Sequence, residues 1–277
     1  MSQYLDINKQ IVHLAIDKSI MFKHDELKLA EKILRDNNYR NFVSCSKINF
    51  AEFFAPNLIM YKTAPFKEWL DYFDMDCRVS HYLMENLIKF ERVINSRLSH
   101  LISDMMANGD FTDYEKNEIV QMIQSWQMKM QRVDSCKKIR ERYTGQKTWE
   151  LLPKMTFGVM KNILFWLKEH REDKYLEIVK GYTFLEDLKN ARLKFDEINR
   201  LRNNLAHFRP LTVFLTHGAT SYFPKKRKRV LNNTYRKDAV DFTFNLHSNL
   251  KIEKELEEIY KSSDNYVDIK NSQQNAG

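Results

Sequence analysis

An all-α fold is what this sequence predicts, and three observations carry the prediction. Turn formers are scarce, with only 6 Gly and 5 Pro in 277 residues. Apolar residues recur at steps of three and four over long segments, the period of a helix packed on one face. Two capping boxes, Thr112-Asp113-Tyr114-Glu115 and Thr183-Phe184-Leu185-Glu186, place a hydroxyl three residues ahead of a carboxylate and mark helix starts.

Taken in order, residues 1–60 read as two or three short helices and an irregular link. Leu27, Ala30, Ile33 and Leu34 outline an amphipathic helix that breaks at the turn-forming Asp36-Asn37-Asn38. The longest periodic signal runs over 66–106, with Leu70, Phe73, Cys77, Met84, Leu87, Ile94, Leu98 and Ile102 at helical spacing. Asn108-Gly109-Asp110 closes it, and the Thr112 box opens the next helix. Residues 132–148 are basic and irregular, a solvated face or an RNA-backbone contact. Thr156 is placed to cap a helix that turns Phe157, Met160, Ile163, Leu164 and Leu167 inward. A short helix near 172–180 ends at Gly181, a left-handed cap.

From Thr183 a single helix is expected over about 184–208, stopped by Pro210. Its apolar stripe is Phe184, Leu188, Ala191, Phe195, Ile198 and Leu205, with a gap that falls on Arg202. The β-branched run Leu211–Thr216 reads as a short strand, paired through Gly218 with Thr220–Phe223. A final helix is expected over 236–261. The domain reading is an N-terminal helical segment (1–60) packed on a core (61–261) that carries a basic insertion (211–235), then a disordered polar tail (262–277).

Composition narrows the function. Cys45, Cys77 and Cys136 are far apart and odd in number, with no CxxC or Cys/His cluster, so neither a zinc site nor a disulfide framework is expected. The N-terminus is too polar for a signal peptide, and the most apolar stretch, Phe157–Leu167, is too short to span a bilayer. A soluble cytoplasmic protein without cofactor or metal is the expectation. The net charge is +8, yet ten basic residues and no acidic one lie between Glu197 and Asp238, leaving the rest of the chain at −2. A polyanion would be drawn to that stretch.

Within it sits Arg202-Asn203-Asn204-Leu205-Ala206-His207, an arginine, an amide and an imidazole inside two helical turns. Asn203 and His207 are i and i+4, hence on one face. His207 falls in the last turn, where the helix dipole favours a cation. This trio suits a metal-independent centre that cuts RNA: His207 moves a proton, Arg202 stabilises phosphoryl charge and Asn203 orients the imidazole or phosphate. Arg200, Arg209, Lys225, Lys226, Arg227, Lys228 and Arg229 are the candidate phosphate contacts. The spacing alone arises by chance roughly once in a chain of this composition, so position and charge must carry the reading. The competing readings are a structural ion pair at Arg202 with a helix cap at His207, a non-catalytic RNA-binding module, or a plain helical interaction protein.

Three blocks also carry a family resemblance. They are Ala30 to Phe42, leading into Tyr39-Arg40-Asn41-Phe42; Phe66 to Leu101, with Tyr72, Asp74 and Phe90-Glu91-Arg92; and Trp149 to His207, with Phe157-Gly158 and Arg202-Asn203 to Ala206-His207. In this order the chain resembles the abortive-infection (Abi) proteins of the AbiD/AbiF type, bacterial anti-phage factors. Their Arg-Asn-x-x-x-His is similar to the HEPN ribonuclease motif. The resemblance implies a HEPN-like helical bundle and a homodimer in which two motifs meet, since this chain holds one. It also implies a structured non-coding RNA as partner. Attack of the RNA 2′-hydroxyl on its own 3′ phosphate at such a centre would leave 2′,3′-cyclic phosphate and 5′-hydroxyl ends. The chain departs from its relatives at Asn38, where they usually have glycine, and at Phe208-Arg209-Pro210-Leu211, which bears on the contacts flanking the site.

Overall fold

A computed structural model describes residues 6–37, 39–55, 58–131, 156–216 and 233–274. Twelve helices and two small strand pairs make up the described residues, so the fold is all-α as expected. They divide into two compact units, one of residues 1–85 and 200–277, the other of residues 86–199. This division differs from the expected boundaries at 60 and 261. A long helix and the motif helix each contribute residues to both units, which no linear boundary captures.

The first unit begins with α1 (Ile7–Asp17), α2 (Glu26–Asp36) and α3 (Tyr39–Phe50). Asp6 caps α1 by accepting the Lys9 N–H at 2.9 Å. β1 (Ile20–Met21) pairs in parallel with β4 (Ala64–Pro65), and β2 (Ala51–Ala55) forms an antiparallel hairpin with β3 (Leu58–Tyr61). The helix α4 (Phe66–Asn108) follows. Its first turns bring Trp69 into an aromatic core, where the ring stacks on Phe50 at 4.8 Å and lies beside Phe42. Trp69, Phe42 and Phe66 are all fully buried.

The second unit holds the rest of α4 with α5 (Asp113–Gln131), α6 (Phe157–His170), α7 (Glu172–Val179) and α8 (Thr183–Glu186). The Thr112 box forms as read: the Thr112 N–H donates to Glu115, and the Glu115 N–H donates to the Thr112 hydroxyl. Thr156 takes the N-cap position of α6 without a side-chain hydrogen bond, and the five expected inward residues are all buried. Gly181 follows α7 at φ +88°, where glycine avoids the Cβ clash of the left-handed region. Phe157, Phe165 and Phe195 cluster in this core, the first and last stacked at 4.7 Å.

Four expectations are corrected. The helix expected over 184–208 is two: α8, then α9 (Ala191–Ala206). The Glu186 carboxylate turns back to accept the Gly181 N–H at 2.8 Å, and Asp187 pairs with Lys194 at 2.8 Å, so polar side chains compete with the helix ladder at the junction. The stretch Leu211–Thr216 is helix α10 and not a strand. The carboxyl of Asp76 on α4 accepts the N–H groups of Leu211 at 2.9 Å and Thr212 at 3.0 Å, capping that helix from a distant segment. The helix expected over 236–261 is also two, α11 (Asn233–Asn245) and α12 (Leu250–Gln274), because Asn249 accepts the Lys251 N–H and starts a new helix. The tail expected to be disordered is helical to Gln274, with Ser263 and Tyr266 buried. The basic run 132–148, the strand partner Thr220–Phe223 and Lys225–Arg229 lie outside the described residues.

Two ties in these units make testable differences. Asp76 is 2 % exposed, so the backbone N–H groups it accepts have no ready solvent alternative. Leaving a buried donor unmade costs about 1–3 kcal/mol. Asp76→Ala should lower the free energy of urea unfolding by at least about 2 kcal/mol, and Asp76→Asn should recover part of the loss. In the second unit, the Glu115 carboxyl is held down at about 2 by the Arg171 guanidinium, 2.9 Å away, together with the Thr112 N–H and hydroxyl. A depressed carboxyl stabilises the fold above its ordinary value near 4.5, and that stability is lost as pH falls toward about 2. The stability gap between wild type and Glu115→Gln should therefore be full at pH 7 and close across that interval in acid titrations of unfolding.

Candidate nucleic-acid site

The motif lies at the C-terminal end of α9. Leu201 is fully buried and Leu205 is 5 % exposed, so this pair continues the apolar stripe from Ile198. The expected gap at Arg202 is thereby corrected. At about 100° per residue, Leu201 and Arg202 are neighbours on the helix circumference, and the leucine takes the inward place. Arg202 is half-buried, while Asn203 and His207 are exposed.

Asn203 links the other two motif residues. Its carbonyl accepts the His207 N–H at 3.2 Å, the helical bond that puts them on one face. Its side-chain oxygen accepts from the Arg202 guanidinium at 3.5 Å, at the outer limit of a hydrogen bond. Arg200 and Arg209 are exposed beside them. Of the ten basic residues in the stretch, Arg236 and Lys237 serve the fold. Arg236 is buried, donating to the Phe214 carbonyl at 2.8 Å, and Lys237 is paired with Asp264. Lys225, Lys226, Arg227, Lys228 and Arg229 lie outside the described residues.

The helix ends in a Schellman turn. The Arg209 N–H returns to the Asn204 carbonyl at 3.0 Å, and the Phe208 N–H to the Leu205 carbonyl at 2.9 Å. Phe208 sits at the left-handed position with φ +52°. Three side chains outside the trio hold this turn. Asn204 donates to the carbonyls of Arg209 at 3.0 Å and Pro210 at 3.2 Å. Asn41 on α3 donates to the Phe208 carbonyl at 3.0 Å. Asp76 then seats the first N–H groups of α10. Together they fix the direction in which the chain leaves His207.

Asn41 and Asp76 are the residues that sequence reasoning missed. Both lie within the stretches that carry the family resemblance, where the aspartate that matches the family pattern is Asp74, which is exposed. An apolar-face count around Trp69, Tyr72, Phe73 and Val79 would have put Asp76, and not Asp74, on the inward side. Among the described residues, no three His, Cys, Asp or Glu side chains gather closely enough to hold a metal ion. No described helix is long and apolar enough to cross a membrane.

A family model described as "Abi-like protein" matches residues 32–212. The match takes in Asn41, Asp76, the whole Arg202–His207 motif and the start of α10. Neither the curated proteins nor the solved structures yield a match. The family match supports a role in abortive-infection defence. By a match that spans well over half its length, the chain belongs to the Abi-like protein family.

Proposed function

We propose that the protein is an RNA endonuclease that acts in abortive-infection defence, with its site at the end of α9. What supports this reading is the placement of Arg202, Asn203 and His207 in the last turns of α9, with Asn203 accepting from the Arg202 guanidinium and sharing a helix face with the exposed His207. Each residue type answers a need of the chemistry. The ribose 2′-hydroxyl is a nucleophile already present in RNA, so no water has to be activated by a metal. As its oxygen bonds to phosphorus it loses a proton, and the P–O5′ bond breaks with a proton passing to the departing oxygen. His207 moves these protons. Arg202 stands against the extra negative charge on the phosphoryl oxygens, and Asn203 orients the guanidinium. The products are a 2′,3′-cyclic phosphate and a 5′-hydroxyl.

A single imidazole can serve as base or acid in one turnover, and the second proton transfer calls for another. The chain holds one such motif, so we propose a homodimer in which two motifs face each other. The run of 198–237 without a carboxylate supports RNA as the polyanion, both as substrate and as a bound structured RNA that restrains the enzyme.

His207→Ala and Arg202→Ala should each reduce RNA cleavage by at least about 100-fold, the scale of a lost proton-transfer or charge-stabilising group, and abolish toxicity in cells. Their unfolding midpoints and oligomeric state should match the wild type. Cleavage by both purified variants at the wild-type rate would refute the catalytic assignment. RNA binding with a steep salt dependence and no products from the wild type would assign a binding module instead.

A further inference from the structure

Phe208 breaks two rules at once. Its φ of +52° is a conformation that costs a bulky L residue energy and that glycine ordinarily fills at the end of a helix. The residue is also 85 % exposed, more than the other exposed large apolar residues whose burial is described. Here no burial of the residue offsets that strain. The strain is nevertheless held from several sides, by the Schellman bonds, by Asn204 and by Asn41 on the Phe208 carbonyl itself. Strain that the surroundings enforce at an exposed position points to a use for the side chain.

The surroundings of the ring say what it would meet. Its chain neighbours are His207 and Arg209, both exposed, and Arg200 and Arg202 lie within two turns on α9. No carboxylate occurs anywhere from residue 198 to 237. An exposed aromatic ring in a stretch that carries cations and no carboxylate suits a nucleotide, whose base offers a π face while its phosphate seeks positive charge. An apolar protein partner would instead call for a contiguous apolar patch.

We propose that Phe208 is a stacking platform for one unpaired base of the RNA, next to the phosphodiester presented to His207 and Arg202. The inference rests on the endonuclease reading and gives its substrate class: single-stranded or looped RNA, in which a base is free to leave its neighbours. A duplex keeps its bases stacked internally and is a poor ligand for the ring.

The test uses the full chain and a short single-stranded RNA carrying one 2-aminopurine, whose fluorescence is quenched on stacking. Wild-type cleavage of the same unlabelled RNA is measured first. Phe208→Gly removes the ring and suits the left-handed backbone, so its Tm should equal or exceed the wild type by up to about 4 °C. Its affinity for the RNA should fall roughly 5- to 150-fold, the range for loss of one base–aromatic stack, and the 2-aminopurine quench should vanish. Phe208→Trp should keep both. Wild-type affinity, quench and cleavage in a folded Phe208→Gly protein would overturn the inference while leaving the endonuclease reading intact. So would a Phe208→Gly protein that changes oligomeric state with RNA affinity unaltered, which would give the ring to a second copy of the chain. Absence of both cleavage and RNA binding in the wild type would overturn the endonuclease reading and this inference together.

Discussion

The contact on which the candidate site depends is a buried carboxyl group at a helix start. Asp76 reaches the N–H groups of Leu211 and Thr212 across 135 and 136 residues of sequence. Burial pushes the Asp76 carboxyl up from its ordinary range, against the downward pull of those two N–H groups and of the Ser80 hydroxyl. The cost of withdrawing the group from water is thus offset by donors that would themselves be orphaned without it. The consequence lies a few residues upstream. With α10 seated on α4, the chain between Leu205 and Leu211 has little freedom, and the Schellman turn bridges the remaining distance. Asn204 and Asn41 close that turn. His207, the proposed proton carrier, makes its backbone bond to Asn203 while the residue stays exposed.

This arrangement separates support from function. The residues that fix the corner are amides and a carboxyl turned toward backbone groups, and the residues that face outward are cations, an imidazole and one aromatic ring. Removing a support should show first in stability, and removing an outward residue first in the proposed action on RNA. The buried pair Leu201 and Leu205 lies between the two sets and sets the rotation of α9. A one-residue slip of that stripe, about 100° of rotation, would turn Arg202 inward and carry Asn203 and His207 with it.

What was legible in the sequence follows the range of the interactions. The Thr112–Glu115 box was readable because both partners are three residues apart and satisfy each other. The same pattern at Thr183 misled, because the Glu186 carboxylate goes to Gly181 instead and the N-cap is Tyr182. The inward face of α6 was readable from its period. The helix at Leu211–Thr216 was not: its residues favour a strand, and the cap that overrides them comes from another segment. At Arg202 the period was ambiguous, since a step of three or of four from Ile198 reaches either Leu201 or Arg202. The polar composition after Ser262 hid the helical recurrence of Ile259, Ser263 and Tyr266. Of the site, the trio could be named from its spacing and charge, and the inward place of Asp76 from the apolar face around it, while the partners of Asn41 and Asp76 could not, because backbone acceptors and donors leave no mark in a sequence.

The central claim is that the corner at the end of α9 directs a ribose hydroxyl onto its own phosphodiester. The most direct test is the end chemistry of RNA cut by the purified protein in the presence of a chelator. The account predicts 2′,3′-cyclic phosphate and 5′-hydroxyl termini, formed at an unchanged rate when divalent ions are removed. Products ending in 5′-phosphate and 3′-hydroxyl, formed only when a divalent ion is returned, would contradict it.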